Sequence, residues 1–299
     1  MNIEDLKEII YKKEDNGICT ITINMPKRRN AFSYITFLEI ETAIKDMEQD
    51  KNAHVLIITG SEEGNAFSSG GYFNMKEILD IAPEIQAEMD LEDIAIKKLC
   101  MKLWDFPKPI IAAINGLAIG AGITMPLACA DLIYMADDAW AGFFFVKRGI
   151  VPEFGNSFIL PLLLGFQRAK EILFFGDRIP ADKMYELGLI NGVIPHNELM
   201  AHCRKIAERL TPPQGPSVSI KLMKKIMHDY FREIISQTLD KENISLRLSL
   251  KTQDFRESIK ALTEKREAKF KGRENKMIKD ILYEPFDLET ERKRPKYTK

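Results

Sequence analysis

Two short apolar runs, each followed by a glycine-rich loop, constrain the fold more than any other feature of this sequence. The first run is His54–Thr59 (HVLIIT), and its loop contains Ser68–Phe73 (SSGGYF). The second is Ile110–Ile114, and its loop, Asn115–Thr124 (NGLAIGAGIT), leads into a helix. Apolar runs of this length are typical of strands buried on both faces. With a third run at Asp131–Met135, the chain alternates strand, helix and strand, which predicts an α/β fold of stacked βαβ units.

Turn signals and helical periodicity predict the remaining elements. Ile9–Tyr11 and Ile18–Ile23 flank an Asn-Gly pair, which is a strong signal for a β-hairpin. Apolar residues at helical spacing predict helices over Tyr34–Gln49 and over about Ile85–Leu103. From Asn156 onward the chain is predicted to be mostly helical. The other predicted helices are Ala121–Ala128, Ala181–Leu187, Leu199–Leu210 and a long one over Thr238–Lys265.

Composition and charge narrow the class of protein. The chain has 299 residues, of which 45% are hydrophobic, enough for one large domain or one domain with an appendage. The formal net charge of −1 does not indicate binding to nucleic acid or to a membrane. The cysteines form no CxxC pair and the histidines form no HExxH motif, so we expect free thiols and no metal site. The N-terminus lacks an apolar signal core and is too acidic for a transit peptide, so the expected location is the cytoplasm.

The two glycine-rich loops are the strongest candidates for a functional backbone. The motifs GxxxxGK[ST] and GxSxG and a GxGxxG after a strand do not occur, which disfavours phosphoryl transfer, serine hydrolysis and dinucleotide redox chemistry. Glycine lets a backbone approach a ligand closely, and a helix start leaves N–H groups free. Two such N–H groups aimed at one point form an oxyanion hole. The alternative is that these glycines only permit tight turns and close packing.

Glu153 is the side chain most suited to acid–base chemistry. It follows a proline and precedes an apolar helix in the segment Gly142–Pro161. One interpretation is a carboxylate that merely interacts favourably with a helix dipole. The other is a general base facing a pocket lined by Phe143–Phe145 and Phe158, where burial would raise its pKa. A basic cluster at Lys27–Arg29 allows two interpretations as well, a solvated loop or a phosphate contact.

In combination, several segments resemble the crotonase superfamily and cover roughly residues 5–273. They are PKRRNAFS, VLIITG, NAFSSGGYF, FPKPIIAAINGLAIGAG, ACADLIYMADDAWAGF, RGIVPEFGNSFILPLLLG, ILFFGDRIPADKMYELGLINGVI and DFRESIKALTEKREAKFKGR. The resemblance implies the α/β crotonase (ClpP/crotonase-like) fold, in which repeated ββα turns form two near-perpendicular sheets and a C-terminal helical region drives trimerisation. It also implies acyl-CoA substrates, homotrimers or hexamers, and no cofactor beyond the coenzyme A that the substrate carries.

The resemblance assigns roles to single residues. The two oxyanion N–H groups should belong to Gly71 and Ala121, and the basic loop should lie near the CoA diphosphate and adenine. Phe270 and Lys271 should reach the CoA bound by a neighbouring subunit. The full set of implied substrate and CoA contacts is Lys27, Arg28, Arg29, Ala31, Ser69, Gly70, Phe73, Gly120, Thr124, Phe145, Phe270 and Lys271.

Departures from the family pattern select among its reactions. Family hydratases carry catalytic glutamates at two positions that are Thr124 and Phe145 here. Glu153 instead lies in VPEFGNSF, which is similar to a segment of Δ3,Δ2-enoyl-CoA isomerases in which this glutamate is the single base. Tyr72 also replaces the aspartate that usually follows the oxyanion residue. We therefore expect a Δ3,Δ2-enoyl-CoA isomerase. An enoyl-CoA hydratase, another crotonase reaction (hydrolase or lyase) and a non-catalytic, RNA-binding protein of this fold remain open.

The chain divides into three predicted parts. Residues 1–200 form the ββα core with the CoA and oxyanion sites, 201–273 form the helical C-terminal region, and 274–299 form a charged tail. The long helix of the second part is predicted to carry apolar residues on one stripe, interrupted only by Lys251. That stripe is Ile244, Leu248, Phe255, Ile259 and Leu262. The charge-rich tail is predicted to be a solvated, partly disordered end. A less favoured interpretation is an RNA contact through Arg292, Lys293, Arg294, Lys296 and Lys299.

Overall fold

The computed structural model describes residues 1–72, 87, 90, 92–274 and 276–283. In these ranges six strands form the larger sheet, in the order β1-β2-β3-β5-β7-β10. The β1–β2 hairpin is antiparallel and every other pairing is parallel. The predicted hairpin is therefore confirmed. The strands are β1 (Ile9–Lys13), β2 (Ile18–Ile23), β3 (Val55–Gly60), β5 (Ile110–Ile114), β7 (Leu132–Ala136) and β10 (Gly192–Ile194).

A smaller sheet has the order β4-β6-β8-β9 among the described residues. Its strands are β4 (Ala66–Ser68), β6 (Leu117–Ile119), β8 (Trp140–Gly142) and β9 (Arg178–Pro180). Consecutive strands separate between the two sheets: β3, β5 and β7 enter the larger sheet, and β4, β6 and β8 enter the smaller one. A helix (Ala121–Cys129) directly follows the pair β5 and β6, and another (Asn156–Leu164) follows the pair β7 and β8 after a loop. The predicted ββα repeat is confirmed.

The helices occur largely where periodicity predicts them. The two that matter most for the site are α3, which begins after the second glycine-rich loop, and α4, which begins after Glu153. No helix in the described ranges is long and apolar enough to span a membrane. The helices are α1 (Tyr34–Gln49), α2 (Lys97–Asp105), α3 (Ala121–Cys129), α4 (Asn156–Leu164), α5 (Phe166–Phe175), α6 (Ala181–Glu186), α7 (Leu199–Leu210), α8 (Ser217–Asp229), α9 (Arg232–Ser249), α10 (Gln253–Thr263) and α11 (Lys276–Tyr283).

Two helix predictions are wrong in their extent. The helix predicted over about Ile85–Leu103 is not helical at residues 92–96: α2 begins at Lys97, where the Asp93 carboxylate accepts hydrogen bonds from the N–H groups of Lys97 and Lys98 at 2.7 and 2.8 Å. Most of residues 73–91 lie outside the described ranges. The long C-terminal helix is divided into α9 and α10, because the Thr252 hydroxyl accepts the Phe255 N–H at 3.0 Å and caps a new helix.

The buried face of α9 also differs from the predicted stripe. Its buried positions are Ile235, Leu239, Glu242, Asn243 and Leu246, whereas Ile244 and Leu248 are half-buried. The buried face thus includes a carboxylate and an amide, which an apolar stripe search passes over. Glu242 contacts the segment that follows Glu153, and Asn243 contacts Ala95, whose carbonyl accepts the Phe154 N–H.

Candidate active site

The two glycine-rich loops contact each other through their backbones. A Cβ added to Gly122 would lie 2.4 Å from the Ser68 carbonyl oxygen, and one added to Gly70 would lie 2.6 Å from the Ile119 carbonyl oxygen. Only glycine fits at either position, since real Cβ atoms do not approach backbone so closely. The close approach brings Gly71, which follows Gly70, to the start of α3, where Ala121 lies.

The N–H of Gly71 is available for a ligand. Gly71 forms a parallel bridge with Phe32, in which Phe32 donates to the Gly70 carbonyl at 2.8 Å and Tyr72 donates to the Phe32 carbonyl at 2.6 Å. Since successive N–H groups of an extended chain face opposite ways, the Gly71 N–H faces away from Phe32. No group among the described residues accepts a hydrogen bond from it. Gly71 itself is exposed.

Ala121 is the first residue of α3, so its N–H has no partner within the helix. Gly120 before it has φ +53°, a conformation that favours glycine, and this turns the chain from β6 into the helix. A Cβ added to Gly120 would lie 3.8 Å from Glu153 Oε1 and 3.9 Å from Phe145 Cε1. The Ala121 N–H interacts with the Glu153 carboxylate and lowers its pKa. The predicted oxyanion donor and the predicted base therefore lie side by side.

Glu153 is buried, with 7% of its surface exposed. The pKa of Glu153 is raised to about 8: burial is the largest cause, the negative charge of Glu242 adds to the rise, and the Ala121 N–H opposes it. The aromatic ring of Phe145 borders the same glycine as the carboxylate, so an apolar group stands where water would otherwise solvate it. A carboxylic acid with this pKa can release and accept a proton near neutral pH.

An unusual backbone presents Glu153 to the loops. Phe154, immediately after it, has φ +54°, and Gly155 has φ +70°. A bulky residue at positive φ is strained, and such strain persists only where surrounding contacts hold it. Phe154 is fully buried, and its ring centroid lies 6.1 Å from that of Phe37. The Glu153–Gly155 turn then leads directly into α4.

Thr124 and Phe145, where the resemblance predicts the two hydratase glutamates, are both buried. The Thr124 hydroxyl donates to the Gly120 carbonyl at 3.1 Å. The Thr124 carbonyl accepts a hydrogen bond from Asn156 Nδ2 at 2.9 Å, which ties the middle of α3 to the first turn of α4. Neither position supplies a second carboxylate, and Asn156, which sequence reasoning did not single out, joins the two helices that frame the site.

The basic loop adjoins the first glycine-rich loop. The Ser69 hydroxyl donates to the Arg28 carbonyl at 3.0 Å, and the Ser69 N–H donates to the Arg29 carbonyl at 3.0 Å. The Arg28 side chain pairs with buried Glu8 at 2.6 Å and lies over the Tyr72 ring at 4.8 Å. Arg28 is thus already engaged with the protein itself.

Other predicted contact residues differ in their position. Lys27 and Arg29 are exposed, while Ala31 is buried beside them. Phe73 lies outside the described residues. Phe270 and Lys271 are exposed, and the Lys271 N–H donates to Asp254 at the start of α10, at 2.8 Å. The basic tail residues from Arg292 to Lys299 also lie outside the described residues.

Glu242 is the residue near Glu153 that sequence reasoning missed. It is 2% exposed, and it accepts the N–H groups of Gly155 and Ser157 at 2.7 and 2.8 Å. Burial raises the pKa of Glu242 to about 7, and these hydrogen bonds oppose the rise. The signal in the sequence is its spacing, since Glu242 continues the helical repeat of Leu239 and Leu246 on an apolar face. Within the described ranges no cluster of three or more His, Cys, Asp or Glu side chains could hold a metal ion.

Known proteins are similar to this chain in sequence and fold. The sequence profile of the family described as enoyl-CoA hydratase/isomerase matches residues 13–273. The 1,2-epoxyphenylacetyl-CoA isomerase of Escherichia coli K12 is 28% identical over 268 residues, which cover 90% of this chain and 100% of that protein. The crotonyl-CoA hydratase of Syntrophomonas wolfei is 33% identical over 267 residues, 88% of this chain and 98% of that protein. The solved enoyl-CoA hydratase from Mycobacterium avium subsp. paratuberculosis superposes with a TM-score of 0.76 at 26% identity, covering 89% of this chain and 99% of that one. These neighbours confirm the predicted crotonase fold.

Proposed function

Because this chain belongs to the enoyl-CoA hydratase/isomerase family, we propose that its substrate is a 3-enoyl-CoA and its product the 2-trans-enoyl-CoA. The relatives carry both hydratase and isomerase names, so they do not choose between the two reactions. The choice rests on the residues of the site. The observation that carries it is one buried carboxylate, Glu153, beside the Ala121 N–H, with Thr124 and Phe145 at the other two positions.

The Gly71 and Ala121 N–H groups bind the thioester oxygen. Removal of a C2 proton places negative charge on that oxygen, and the two donors stabilise the resulting dienolate. One such donor is worth about 3 kcal/mol of transition-state stabilisation. When the thioester oxygen takes the Ala121 N–H, Glu153 loses the interaction that lowers its pKa and becomes a stronger base.

Glu153 moves the proton in both directions. Its ionised carboxylate takes a proton from C2, the C2–H electron pair forms the new C2–C3 double bond, and the former C3–C4 pair bonds to the returned proton at C4. One carboxylate suffices when the proton leaves and returns on the same face. The Phe145 ring borders the same glycine as this carboxyl group and limits the access of water to it, which favours return of the proton over addition of water.

Hydration by Glu153 alone is the second candidate. It is favoured by the crotonyl-CoA hydratase of Syntrophomonas wolfei, which at 33% identity is more similar to this chain than the isomerase relative named above. In this reaction Glu153 would direct a water molecule to C3 of a 2-enoyl-CoA. Thr124 and Phe145 carry no carboxylate, and the oxygens of the nearby Glu242 already accept the Gly155 and Ser157 N–H groups, which counts against this candidate.

Coenzyme A is held, in this proposal, by the loop cluster beside Gly71. Lys27 and Arg29 are exposed and free to approach its phosphates, while Arg28 orders the loop through Glu8. Ser69, Gly70 and Ala31 supply the backbone beside it. Trimers or hexamers would bring Phe270 and Lys271 of a neighbouring subunit to the same CoA, and no further cofactor takes part.

The test is the identity of the product. The purified protein is incubated with a 3-enoyl-CoA and, separately, with a 2-enoyl-CoA, and the products are separated by chromatography and weighed by mass spectrometry. We expect a 2-enoyl product of unchanged mass from the first substrate. A mass gain of one water from the 2-enoyl-CoA, with the 3-enoyl-CoA unchanged, would instead establish the hydratase, and turnover of neither would refute both candidates for these substrates.

A further inference from the structure

We infer that Glu242, with its neighbour Asn243, is a positioning residue that holds the strained turn after Glu153. The inference rests on the proposed role of Glu153. It adds a second carboxylate, 89 positions along the chain (242 − 153), that acts on the base without touching the substrate. The geometry carries it in three steps.

The first step is the missing cap of α4. The helix starts at Asn156, and its N-cap residue, Gly155, has no side chain that could accept a hydrogen bond. Glu242 Oε2 accepts the Gly155 N–H at 2.7 Å and Oε1 accepts the Ser157 N–H at 2.8 Å. A carboxylate from α9 therefore supplies the cap that the local sequence lacks.

The second observation is a chain of hydrogen bonds on the other side of the turn that follows Glu153. Asn243 Oδ1 accepts the Ala95 N–H at 2.7 Å, and the Ala95 carbonyl accepts the Phe154 N–H at 3.3 Å. Asn243 Nδ2 donates to Asp93 at 2.8 Å, which fixes the amide. Glu242 and Asn243 thus fix both Gly155 and Phe154, the two residues of positive φ that follow Glu153. Contacts from two sides are what a strained turn requires.

The third step is charge. In the described part of the chain, Glu242 is the ionisable group whose charge acts on Glu153, and it raises the pKa of Glu153. The Ala121 N–H acts in the opposite direction. On Glu242 itself, the groups that oppose burial are Ser157, through its N–H and hydroxyl, and the Gly155 N–H. Glu242 therefore makes Glu153 a stronger base than burial alone would.

The experiment compares Glu242→Gln with Glu233→Gln. Both glutamates lie on α9, but Glu233 is exposed, so its variant is a matched control for charge and helix propensity. The rate constant kcat and the pH profile of kcat/KM are measured with the 3-enoyl-CoA, along with Tm. For Glu242→Gln we expect the midpoint of the kcat/KM profile to lie about one pH unit lower, because a like charge near Glu153 is gone. We also expect kcat to be about tenfold lower, because the amide nitrogen cannot accept the second N–H. We expect KM within twofold, and wild-type values throughout for Glu233→Gln.

Each outcome decides the inference. A lower Tm with unchanged midpoint and kcat would reduce Glu242 to a helix cap and overturn it. If Glu242→Gln does not fold, Glu242→Asp is used instead, because it keeps the charge but withdraws it from Gly155 and Ser157. We then expect a tenfold lower kcat with an unchanged midpoint of the pH profile. An unchanged kcat overturns the inference. Failure of the proposed function is seen separately, as full activity of Glu153→Gln.

Discussion

Two buried glutamates show what separates a structural carboxylate from a chemical one. Glu39, on α1, is 1% exposed and accepts the N–H groups of Lys7, Glu8 and Ile9 at 2.8, 2.8 and 2.9 Å. Glu153 is buried to a similar degree but interacts with a single N–H, that of Ala121. Burial alone therefore does not distinguish the two residues.

The number of N–H groups that donate to the carboxylate distinguishes Glu39 from Glu153. Burial raises the pKa of Glu39, and its three N–H bonds act against that rise, so the carboxylate is fully used in holding the start of β1 to α1. Glu153 retains unused acceptor capacity, faces an aromatic ring, and has its pKa raised to about 8. Satisfied hydrogen bonds stabilise a fold, whereas an under-satisfied group is available for chemistry. The predictions below test this difference.

The largest expected effect is on turnover. Glu153→Gln removes the base and should lower kcat on the 3-enoyl-CoA by about a thousandfold, within the range for general acid–base catalysis. Glu39→Gln, the same chemical change at the other buried glutamate, should leave kcat within about threefold. Initial rates at pH 8 measure both. Equal losses in the two variants would show that buried glutamates here serve the fold alone.

A smaller loss is expected from the donor side of the site. Gly122→Ala places a Cβ 2.4 Å from the Ser68 carbonyl oxygen and must separate the two loops that carry Gly71 and Ala121. We expect kcat to fall about a hundredfold, the cost of misplacing one oxyanion donor. Gly188→Ala is the control for a strained substitution outside the two loops, since Gly188 has φ +74° and an added Cβ there meets nothing within 4 Å. Wild-type kcat in Gly122→Ala would contradict the oxyanion assignment.

The stabilities of Glu153→Gln and Glu39→Gln should change in opposite directions. The folded-state pKa of Glu153 lies far above its unfolded value, so the folded protein binds an extra proton between about pH 4.5 and pH 8 and loses stability as pH rises through that window. Glu153→Gln removes this loss and should raise the free energy of unfolding at pH 8 by about 4 kcal/mol, with little change at pH 4.5. Glu39→Gln should lower it by about 2 kcal/mol, because N–H donors lose their acceptor.

Denaturant titrations at the two pH values measure these differences. A destabilised Glu153→Gln at pH 8 would mean that the Glu153 carboxylate is satisfied like that of Glu39, and the distinction between the two residues would fail.

The smallest expected effect is the pH dependence of the wild type. Since Glu153 must be ionised to accept the C2 proton, kcat/KM should fall about tenfold for each pH unit below a midpoint near pH 8. Glu39→Gln should show the same midpoint, since Glu39 takes no part. A profile that is flat between pH 6 and pH 9 would exclude a base with a raised pKa.

Local pattern predicts much of this molecule. The hairpin, the buried strands, α1, α3 and α7 follow from apolar periodicity and turn residues. Glu153 and the two glycine-rich loops are also found locally, because each stands next to the strand or helix that positions it. The start of α2 is missed because its cap, Asp93, is a carboxylate in a segment that reads as a continuous amphipathic helix.

Long-range contacts are what the sequence conceals. Gly155 and Glu242 are separated by 87 positions, and Ala95 and Asn243 by 148, so no spacing rule connects them. The predicted stripe selected the neighbouring face of α9 because it counted apolar residues only, and the buried face uses polar ones. Arg28 likewise reads as a free cation, although Glu8 pairs with it.

The fate of the C2 proton tests the account most directly. A 3-enoyl-CoA carrying deuterium at both C2 positions is converted in ordinary water, and the product is examined by mass spectrometry and NMR during the first turnovers. If Glu153 carries the proton from C2 to C4 in a buried site bordered by Phe145, a substantial fraction of the product keeps both deuterium atoms, one of them at C4. A product with deuterium only at C2, or one that has gained water, would contradict a single shielded carboxylate as the base.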